Sequence, residues 1–316
     1  MVIGEADKDS RLDRFLRRKL GRISQSHLEK ALRSGQIRIN GEKKKSNYRL
    51  VAGDELAIAD QAHGLFVADT EEKPANQSIS AETASEALAK MELARSDDWI
   101  AYNKPSGLAV QGGSKTSIHL DGYLQAASGI RAKLVHRIDK DTSGLVIVAR
   151  HDGAARHLAT AFKEHLIRKS YLALVSGTPE LSGTISAPLQ KQGIQDKQKM
   201  VVDEAGLPSI THFRRLASLD GISLVALQPV TGRTHQLRAH MAYINAPILG
   251  DGKYGGRQAH IAGFAKQLHL HAHFIRLVKA QILTAPLPAH MKDSIDRLGL
   301  MTAVPDNMPI FEDNAE

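Results

Sequence analysis

Short apolar runs in the second two-thirds of the chain constrain the fold more than any other feature of the sequence. From about residue 95 onward the runs with strand character are 99–102, 145–149, 171–175, 212–219, 223–230 and 268–277. Clear helical patterns are fewer there and cover residues 154–165 and 231–243. Strands that follow one another with few intervening helices favour antiparallel pairing. The sequence therefore predicts an α+β fold on a mixed, mostly antiparallel sheet.

The first 60 residues differ from the rest because they form a compact basic segment. They contain fourteen Lys and Arg against nine Asp and Glu. Leu12, Phe15, Leu16 and Leu20 repeat at helical spacing, which predicts an amphipathic helix over 11–20. Its polar face carries Arg14, Arg17, Arg18 and Lys19.

A second helix is predicted to start at Ser24 or Ser26 and to end near Gly35, a common helix terminator. A short strand over 36–39 and a tight turn follow, and the next basic residues are Lys43, Lys44 and Lys45. A solvated helix face would explain one such helix. Two basic helices that lead into a basic turn favour a surface that binds phosphates.

Composition excludes several kinds of site. The formal net charge of +8 favours a polyanionic partner. The absence of cysteine excludes disulfides, thiol nucleophiles and Cys-ligated zinc, and with them the zinc nucleobase deaminases. The first twenty residues lack a signal-peptide core, and no run of about 18 apolar residues occurs. We expect a soluble, cytoplasmic protein with no membrane partner.

The densest cluster of reactive side chains lies over 133–144, between two apolar stretches. Arg137 and Lys140 flank Asp139, and cations on both sides favour the ionised carboxylate. Such a carboxylate acts as a nucleophile or a general base. The pattern alone does not choose between Asp139 and Asp141, and a surface turn with local ion pairs would give the same pattern.

A second cluster, over 231–240, contains Gly232 at the junction of a strand and a helix. Backbone donors together with Arg233 suit an anionic oxygen. Arg233 and Arg238 are about 140° apart around a helix, so we expect them to serve different points. A basic helix lying on solvent or RNA would also fit this cluster.

Three histidines, His269, His271 and His273, alternate along the last predicted strand and therefore share one face. Three imidazoles on one face suit a catalytic zinc ion, which would make the chain a metal hydrolase. Ordinary sheet packing is favoured by the neighbouring Leu268, Leu270 and Phe274.

These segments resemble two known families. Residues 11–13, 24–28 and 34–41 resemble the S4 RNA-binding domain. Residues from about 95 to 290 resemble the RluA family of pseudouridine synthases, and the diagnostic runs are 136–139 with 141–145, 168–175, 232–240, 247–251 with 254–255, and 270–272. The match at 270–272 favours a structural role for the histidines over zinc.

The RluA resemblance implies an isomerase that converts uridine to pseudouridine without a metal or other cofactor. It implies that Asp139 is the catalytic carboxylate, that Tyr171 lies against the reacting base and assists removal of its C5 proton, and that Arg238 is the partner of Asp139. The residues expected to bind RNA are Arg14, Arg17, Arg18, Lys43, Lys44, His136, Arg137, Lys169, Arg233 and His235.

The domain layout implied is an S4 domain over 1–61, a linker over 62–92 with a short helix near its end, a catalytic domain over 93–303, and a loose tail over 304–316. Residues 103–107 and 112–114 are most similar to the C type of the family, whose substrate is large-subunit ribosomal RNA. Gln111 and Ile138 depart from the usual residues, which leaves the D type open. A synthase that acts on transfer RNA and a non-catalytic ribosome-assembly protein are also compatible with the sequence. We expect a monomer.

Overall fold

The computed structural model describes residues 1–21, 23–66, 79–112, 118–129, 133–193, 198–278 and 281–311. Its contacts divide the chain into two compact units, Met1–Gln77 and Ser78–Glu316. Gly113, Ser114, residues 67–78 of the predicted linker and residues 312–316 of the predicted tail lie outside the described residues. No helix in the described part of the chain is long and apolar enough to cross a membrane.

The first unit packs two helices against a two-stranded sheet. Its elements are α1 (Leu12–Leu20), α2 (Gln25–Ser34), β1 (Ile37–Ile39), β2 (Leu56–Ile58) and α3 (Asp60–His63). The apolar stripe of α1 packs with Leu28 and Ile37 in one buried cluster. Ser24 caps the start of α2, because its side chain accepts a hydrogen bond from the His27 N–H, and Gly35 in the left-handed conformation terminates the helix. The predicted helices, the strand β1 and the tight turn that follows it at residues 40–41 are confirmed.

The second unit contains the larger sheet. Its helices are α4 (Ala81–Met91), α5 (Leu120–Ser128), α6 (Asp152–Lys163), α7 (Gln236–Tyr243) and α8 (Ala289–Arg297). Its strands are β3 (Glu92–Arg95), β4 (Trp99–Lys104), β5 (Lys133–Leu134), β6 (Ser143–Ala149), β7 (Arg168–Ser176), β8 (Ser182–Ser186), β9 (Leu189–Gln192), β10 (Lys199–Val202), β11 (Ile210–Leu219), β12 (Ile222–Pro229), β13 (Leu270–Arg276) and β14 (Ile282–Thr284).

The main sheet has the strand order β3-β4-β6-β13-β7-β12-β11-β8, with β14 paired to β13 and β5 paired to β6. Within the described residues the pairing is antiparallel except between β6 and β13, which run parallel. Every residue of β6 is buried, because Val146 and Val148 pack on one face of the sheet and Leu145 and Ile147 on the other. The predicted mixed, mostly antiparallel α+β fold is confirmed.

Two segments pack differently from the expectation of a linker and a loose tail. Helix α4 belongs to the second unit, because Leu88 and Met91 enter its core, so it is not part of a linker. The predicted loose tail is packed as far as residue 311, because Phe311 is buried against Met291 of α8.

Helix α7 begins at Gln236, five residues later than predicted. His235 has a φ of 50°, in the left-handed region, so the helix cannot continue backward through it. Residues 231–235 form a turn instead, which changes where their side chains point.

Gly144 fixes the point where β6 meets β13. Its φ is +110°, and a Cβ atom there would lie 2.3 Å from the carbonyl oxygen of Ala272. Gly144 and Ala272 are register partners in the parallel pair, two residues after Thr142. A glycine is therefore required by both backbone conformation and close approach.

We predict that Gly144→Ala lowers the free energy of unfolding of the second unit by about 3 kcal/mol or more, because backbone strain and a clash with backbone add together. The measurement is urea unfolding. Gly107→Ala is the matched control, since Gly107 has a φ of +87° with open space around its Cβ position. We expect about 1 kcal/mol for that control. Equal losses in the two variants would contradict the role given to the close approach.

Candidate active site

A cavity of about 150 Å³ lies where the 135–142 loop, strand β7 and the 231–235 turn meet. Its polar and charged lining residues are Arg137, Asp139, Thr142, Lys169, Tyr171, Thr231, Arg233, Thr234, Gln236 and Arg238. Ile138, Leu237 and Leu270 are among its apolar ones. The structure thus brings residues from three separate sequence motifs to one place.

Asp139 enters this cavity and Asp141 does not. Asp139 is half-buried and lines the cavity, whereas Asp141 is exposed and is not among the lining residues. The Thr142 N–H donates to the Asp139 carbonyl at 3.2 Å, which closes the loop into a tight turn. The geometry therefore separates two carboxylates that spacing alone left equivalent.

The loop that carries Asp139 is held by a lysine that sequence reasoning did not single out. The ammonium of Lys104 is fully buried and donates to the carbonyl oxygens of Pro105 (2.9 Å), Leu108 (2.7 Å) and Lys140 (3.0 Å). Burial lowers the pKa of Lys104 to about 7, even though Asp141 and Asp139 act in the opposite direction. The sequence signal that could have indicated this role is a lysine at the end of an apolar strand, directly before a proline.

Two further hydrogen bonds join the same segments. The Gly107 N–H donates to the Lys140 carbonyl at 2.9 Å, and the Ser106 hydroxyl donates to the Asp141 carbonyl at 2.7 Å. Residues 104–107, which belong to a segment that served only as a mark of subtype in the sequence, therefore support the Asp139 loop together with Leu108.

Tyr171 forms one wall of the cavity. It lies in the middle of β7, between Leu227 of β12 and Ala272 of β13 in register. Burial, and then the negative charge of Asp139, raise the pKa of Tyr171. The phenol is therefore neutral at physiological pH and presents an aromatic ring beside the carboxylate.

Arg238 has a different direct partner from the one expected. Its Nε and Nη2 atoms donate to the two carboxylate oxygens of Asp251, each at 2.8 Å, and both side chains are buried. Burial lowers the pKa of Arg238, but Asp251, and less strongly Asp139, outweigh it and raise the pKa overall. Asp251 is thus the primary partner, and Arg238 reaches Asp139 through electrostatic attraction across the cavity.

Arg233 and Arg238 line the same cavity, and the expectation that they serve different points stays a prediction. That expectation placed both on one helix, but Arg233 lies in the turn before α7. Gln236 holds this turn, because its Oε1 accepts from the Thr231 hydroxyl and from the Arg233 N–H. The Arg233 guanidinium also donates to the Pro208 carbonyl at 3.2 Å.

The remaining predicted RNA-binding residues of this unit occupy different positions. Arg137 is exposed at the cavity, and Lys169 is half-buried in its wall, where burial lowers its pKa. His136 lies behind the loop, with Nε2 accepting the Ile147 N–H at 2.8 Å and its ring 4.5 Å from Phe162. Burial, and then Lys169, lower the pKa of His136 to about 3, so it is a neutral support of the loop.

The predicted RNA-binding residues of the first unit differ in exposure and in whether they form ion pairs. Arg14 and Lys43 are exposed and pair with no carboxylate among the described residues. Arg18 pairs with Asp7, and Lys44 pairs with Glu42. Arg17 is half-buried and donates to the Ile23 carbonyl.

The three histidines of the β13 region are part of the core. His269 bonds the Ser294 hydroxyl, and His271 bonds the Ser143 hydroxyl, each at 2.9 Å. Burial lowers the pKa of both, to about 4 and about 3. In the ranges the structure describes, no group of three or more potential ligands is arranged to hold a metal ion.

The family comparisons agree with this architecture. Residues 98–243 match the RNA pseudouridylate synthase family model, and residues 10–56 match the S4 domain model. The combination of these two models defines a class of enzymes that modify RNA and carry a separate RNA-binding domain.

Full-length relatives make the assignment more specific. The chain is 37% identical to ribosomal large subunit pseudouridine synthase C of Rickettsia bellii, over 89% of this chain and 95% of that protein. It is 36% identical to the protein of the same name from Vibrio cholerae, over 94% of this chain and 95% of that protein. The chain therefore belongs to the RNA pseudouridylate synthase family, whose members are isomerases.

Solved structures show the same fold. The human RNA pseudouridylate synthase domain containing 4 protein superposes with a TM-score of 0.56 at 25% identity, covering 69% of this chain and 97% of that one. The human domain containing 1 protein gives a TM-score of 0.53 at 28% identity, covering 66% and 86%.

We predict that Asp251→Asn destabilises the second unit by about 3–5 kcal/mol, because it leaves the buried Arg238 guanidinium without its counter-charge. Thermal and urea unfolding measure the loss. Asp152→Asn is the control, since Asp152 pairs with Lys133 at the surface and such pairs contribute about 1 kcal/mol or less. If the two variants unfold alike, the buried pair does not hold this side of the cavity.

Proposed function

We propose that this protein converts specific uridines of large-subunit ribosomal RNA to pseudouridine, with Asp139 as the catalytic carboxylate. The observation that carries the proposal is that Asp139, Tyr171 and Arg238 line one cavity. The names of the full-length relatives support the RNA substrate. The C type of the family is the assignment we favour.

The reaction breaks the bond between N1 of uracil and C1′ of ribose, turns the base, and joins C5 to C1′. One proton leaves C5 and one is taken up at N1, so no electrons are gained or lost overall. Asp139 either attacks C1′ or removes a proton from the sugar. Because the reaction is an isomerisation within one nucleotide, we propose that it proceeds without a metal or other cofactor.

The target base must leave its stack before it can enter the cavity, which costs a few kcal/mol. The apolar wall formed by Ile138, Leu237 and Leu270, with the neutral ring of Tyr171, gives the extruded base a surface to pack against. The raised pKa of Tyr171 keeps its phenol protonated at physiological pH, so the hydroxyl is not available to accept a proton. Its proposed role is therefore to stack on the uracil rather than to abstract the C5 proton.

Arg238 orients the catalytic carboxylate by charge. Its guanidinium is fixed by the two hydrogen bonds to Asp251, so it faces the cavity in one orientation. A fixed positive charge in a site that excludes water acts strongly on an adjacent anion. We assign to Arg238 the role of holding Asp139 in its reactive state, and to Arg137, Lys169 and Arg233 contacts with the RNA around the target.

We further propose a division of labour along the chain. Residues 1–61 bind RNA as an S4 domain, residues 93–303 carry the reaction, and the protein acts as a monomer in the cytoplasm. The exposed cations Arg14 and Lys43 support the first of these roles, because they are available to phosphates.

We predict that Asp139→Asn abolishes pseudouridine formation while leaving RNA affinity within about twofold, because it removes the carboxylate without changing side-chain volume. The measurement is pseudouridine mapping of ribosomal RNA by carbodiimide modification and primer extension. RNA comes from cells that lack the protein and are complemented with each variant. Asp141→Asn is the matched control, and it should restore every site because Asp141 lies outside the cavity.

Pseudouridine at the mapped sites in the Asp139→Asn strain would refute the catalytic assignment. A large-subunit map that does not change on deletion of the protein would instead refute the ribosomal substrate, and transfer RNA would then be mapped in the same strains. A protein with no pseudouridine product in either RNA would be a non-catalytic binder.

For the S4 domain, we predict that the double variant Arg14→Gln/Lys43→Gln weakens RNA binding and reduces its salt dependence. Two lost phosphate contacts should lower the slope of log affinity against log salt concentration by about 1.4 to 1.8. Filter binding of a ribosomal RNA transcript at several potassium chloride concentrations measures it. A slope equal to that of wild type would remove these two residues from the RNA-binding surface.

A further inference from the structure

A second cavity of about 260 Å³ lies beside the first, and His235 is the one residue of its lining that the sequence analysis expected to bind RNA. Its lining includes Lys191 and Lys199 from the β9–β10 hairpin, His235 before α7, and Lys253. Thr234 lines both cavities, so the two share a wall. We call the set Lys191, Lys199, Lys253 and His235 the basic cradle.

The basic cradle carries three lysine charges, and Asp139 and Asp251 lie close enough to its fourth member, His235, to oppose the lowering of its pKa by burial. Its three lysines are exposed, and none pairs with a carboxylate in the described part of the chain. No Asp or Glu is among the residues that line this cavity. Three lysines around one cavity, with no carboxylate among its lining residues, suit an anion with several oxygen atoms.

The hairpin is held against the site by its inner face. Lys191 stands opposite Met200 in the hairpin register, on the same face as Leu189. Leu189 and Met200 are buried against Ala239 of α7, so this face of the hairpin packs on α7 at these two residues. Lys191 is exposed and therefore lies at the edge of this packed hairpin face.

Two groups connect the basic cradle to the cavity that contains Asp139. The Tyr254 hydroxyl accepts the Met200 N–H at 3.0 Å and bonds His235 Nδ1 at 2.9 Å, and its ring lies 5.2 Å from the Arg238 guanidinium. Asp251, which fixes Arg238, also accepts the N–H groups of Lys253 and Tyr254. The same side chains thus position the cradle and the reaction cavity.

We propose that the basic cradle binds a backbone phosphate of the RNA strand that flanks the nucleotide undergoing reaction. This inference rests on the proposed function for its ligand, since a uridine placed against Asp139 has phosphates on both sides. A phosphate held there fixes the strand one wall away from the reacting sugar. The cradle would thereby position the extruded nucleotide and offset the cost of unstacking it.

The test compares two triple variants of the full chain that remove the same amount of charge. The cradle variant is Lys191→Gln/Lys199→Gln/Lys253→Gln. The control is Lys90→Gln/Lys163→Gln/Lys292→Gln, which changes three exposed lysines on α4, α6 and α8 that line neither cavity. Binding of an unmodified large-subunit ribosomal RNA transcript is titrated over a range of potassium chloride concentrations.

We expect the cradle variant to lower the slope of log affinity against log salt concentration by about 2, because each single-strand phosphate contact contributes about 0.7. KM for pseudouridine formation should rise at least tenfold while kcat changes less than threefold. The control should keep both the slope and KM. Lys→Arg at the same three cradle positions should restore the slope, which shows that charge rather than folding is responsible.

A cradle variant with the slope and KM of the control would overturn the proposal, and an acidic protein segment would then be the occupant to seek. Failure of the proposed function has a different signature. In that case wild type forms no pseudouridine, yet the cradle variant still loses salt-dependent RNA binding relative to the control.

Discussion

A lysine ammonium withdrawn from water determines where Asp139 stands. Lys104 has three N–H donors, and all three are satisfied by the carbonyls of Pro105, Leu108 and Lys140. A buried charge is tolerated only when its hydrogen bonds are complete, so this arrangement leaves the two segments little freedom to separate. The lowered pKa of Lys104 records the remaining cost, and the nearby Asp139 and Asp141 reduce it.

The buried Arg238–Asp251 pair fixes the wall of the cavity formed by α7, as Lys104 fixes the loop that carries Asp139. A buried ion pair adds little net stability, because desolvation cancels most of the attraction. Its value here is geometric, since one carboxylate fixes the guanidinium and also accepts two backbone N–H groups of the next turn. The cavity that contains Asp139 therefore lies between two cations whose positions are fixed before any substrate binds. Such preorganised charges are the condition under which electrostatic catalysis is strongest.

The sequence predicted the sheet well because period-two and continuous apolar runs are local signals. The six predicted strands all exist, and the family resemblance chose Asp139 over Asp141 before the geometry separated them. What failed depended on contacts between distant residues. The start of α7 depends on one residue, His235, whose backbone is in the left-handed conformation. The pairing of Arg238 with Asp251 joins two motifs that no local spacing connects. Lys104 was not singled out from the sequence, because burial of a charge is visible only once its three acceptors are assembled.

The division of charge in the second unit indicates how a flipped nucleotide would be handled. Cations that are buried and fully bonded, Lys104 and Arg238, cannot move toward a ligand without breaking their own contacts, so they act on whatever the cavity receives. Cations that are exposed and unpaired among the described residues, such as Lys191 and Lys253, can rearrange around a phosphate at little cost. Fixed charges suit the proposed role of Asp139, which requires one orientation of its carboxylate. Mobile charges suit an RNA backbone, which has the same phosphates whatever its sequence. Thr234 lines both cavities, and Tyr254 contacts both Arg238 and His235, so the proposed sites for the base and for the strand share one boundary.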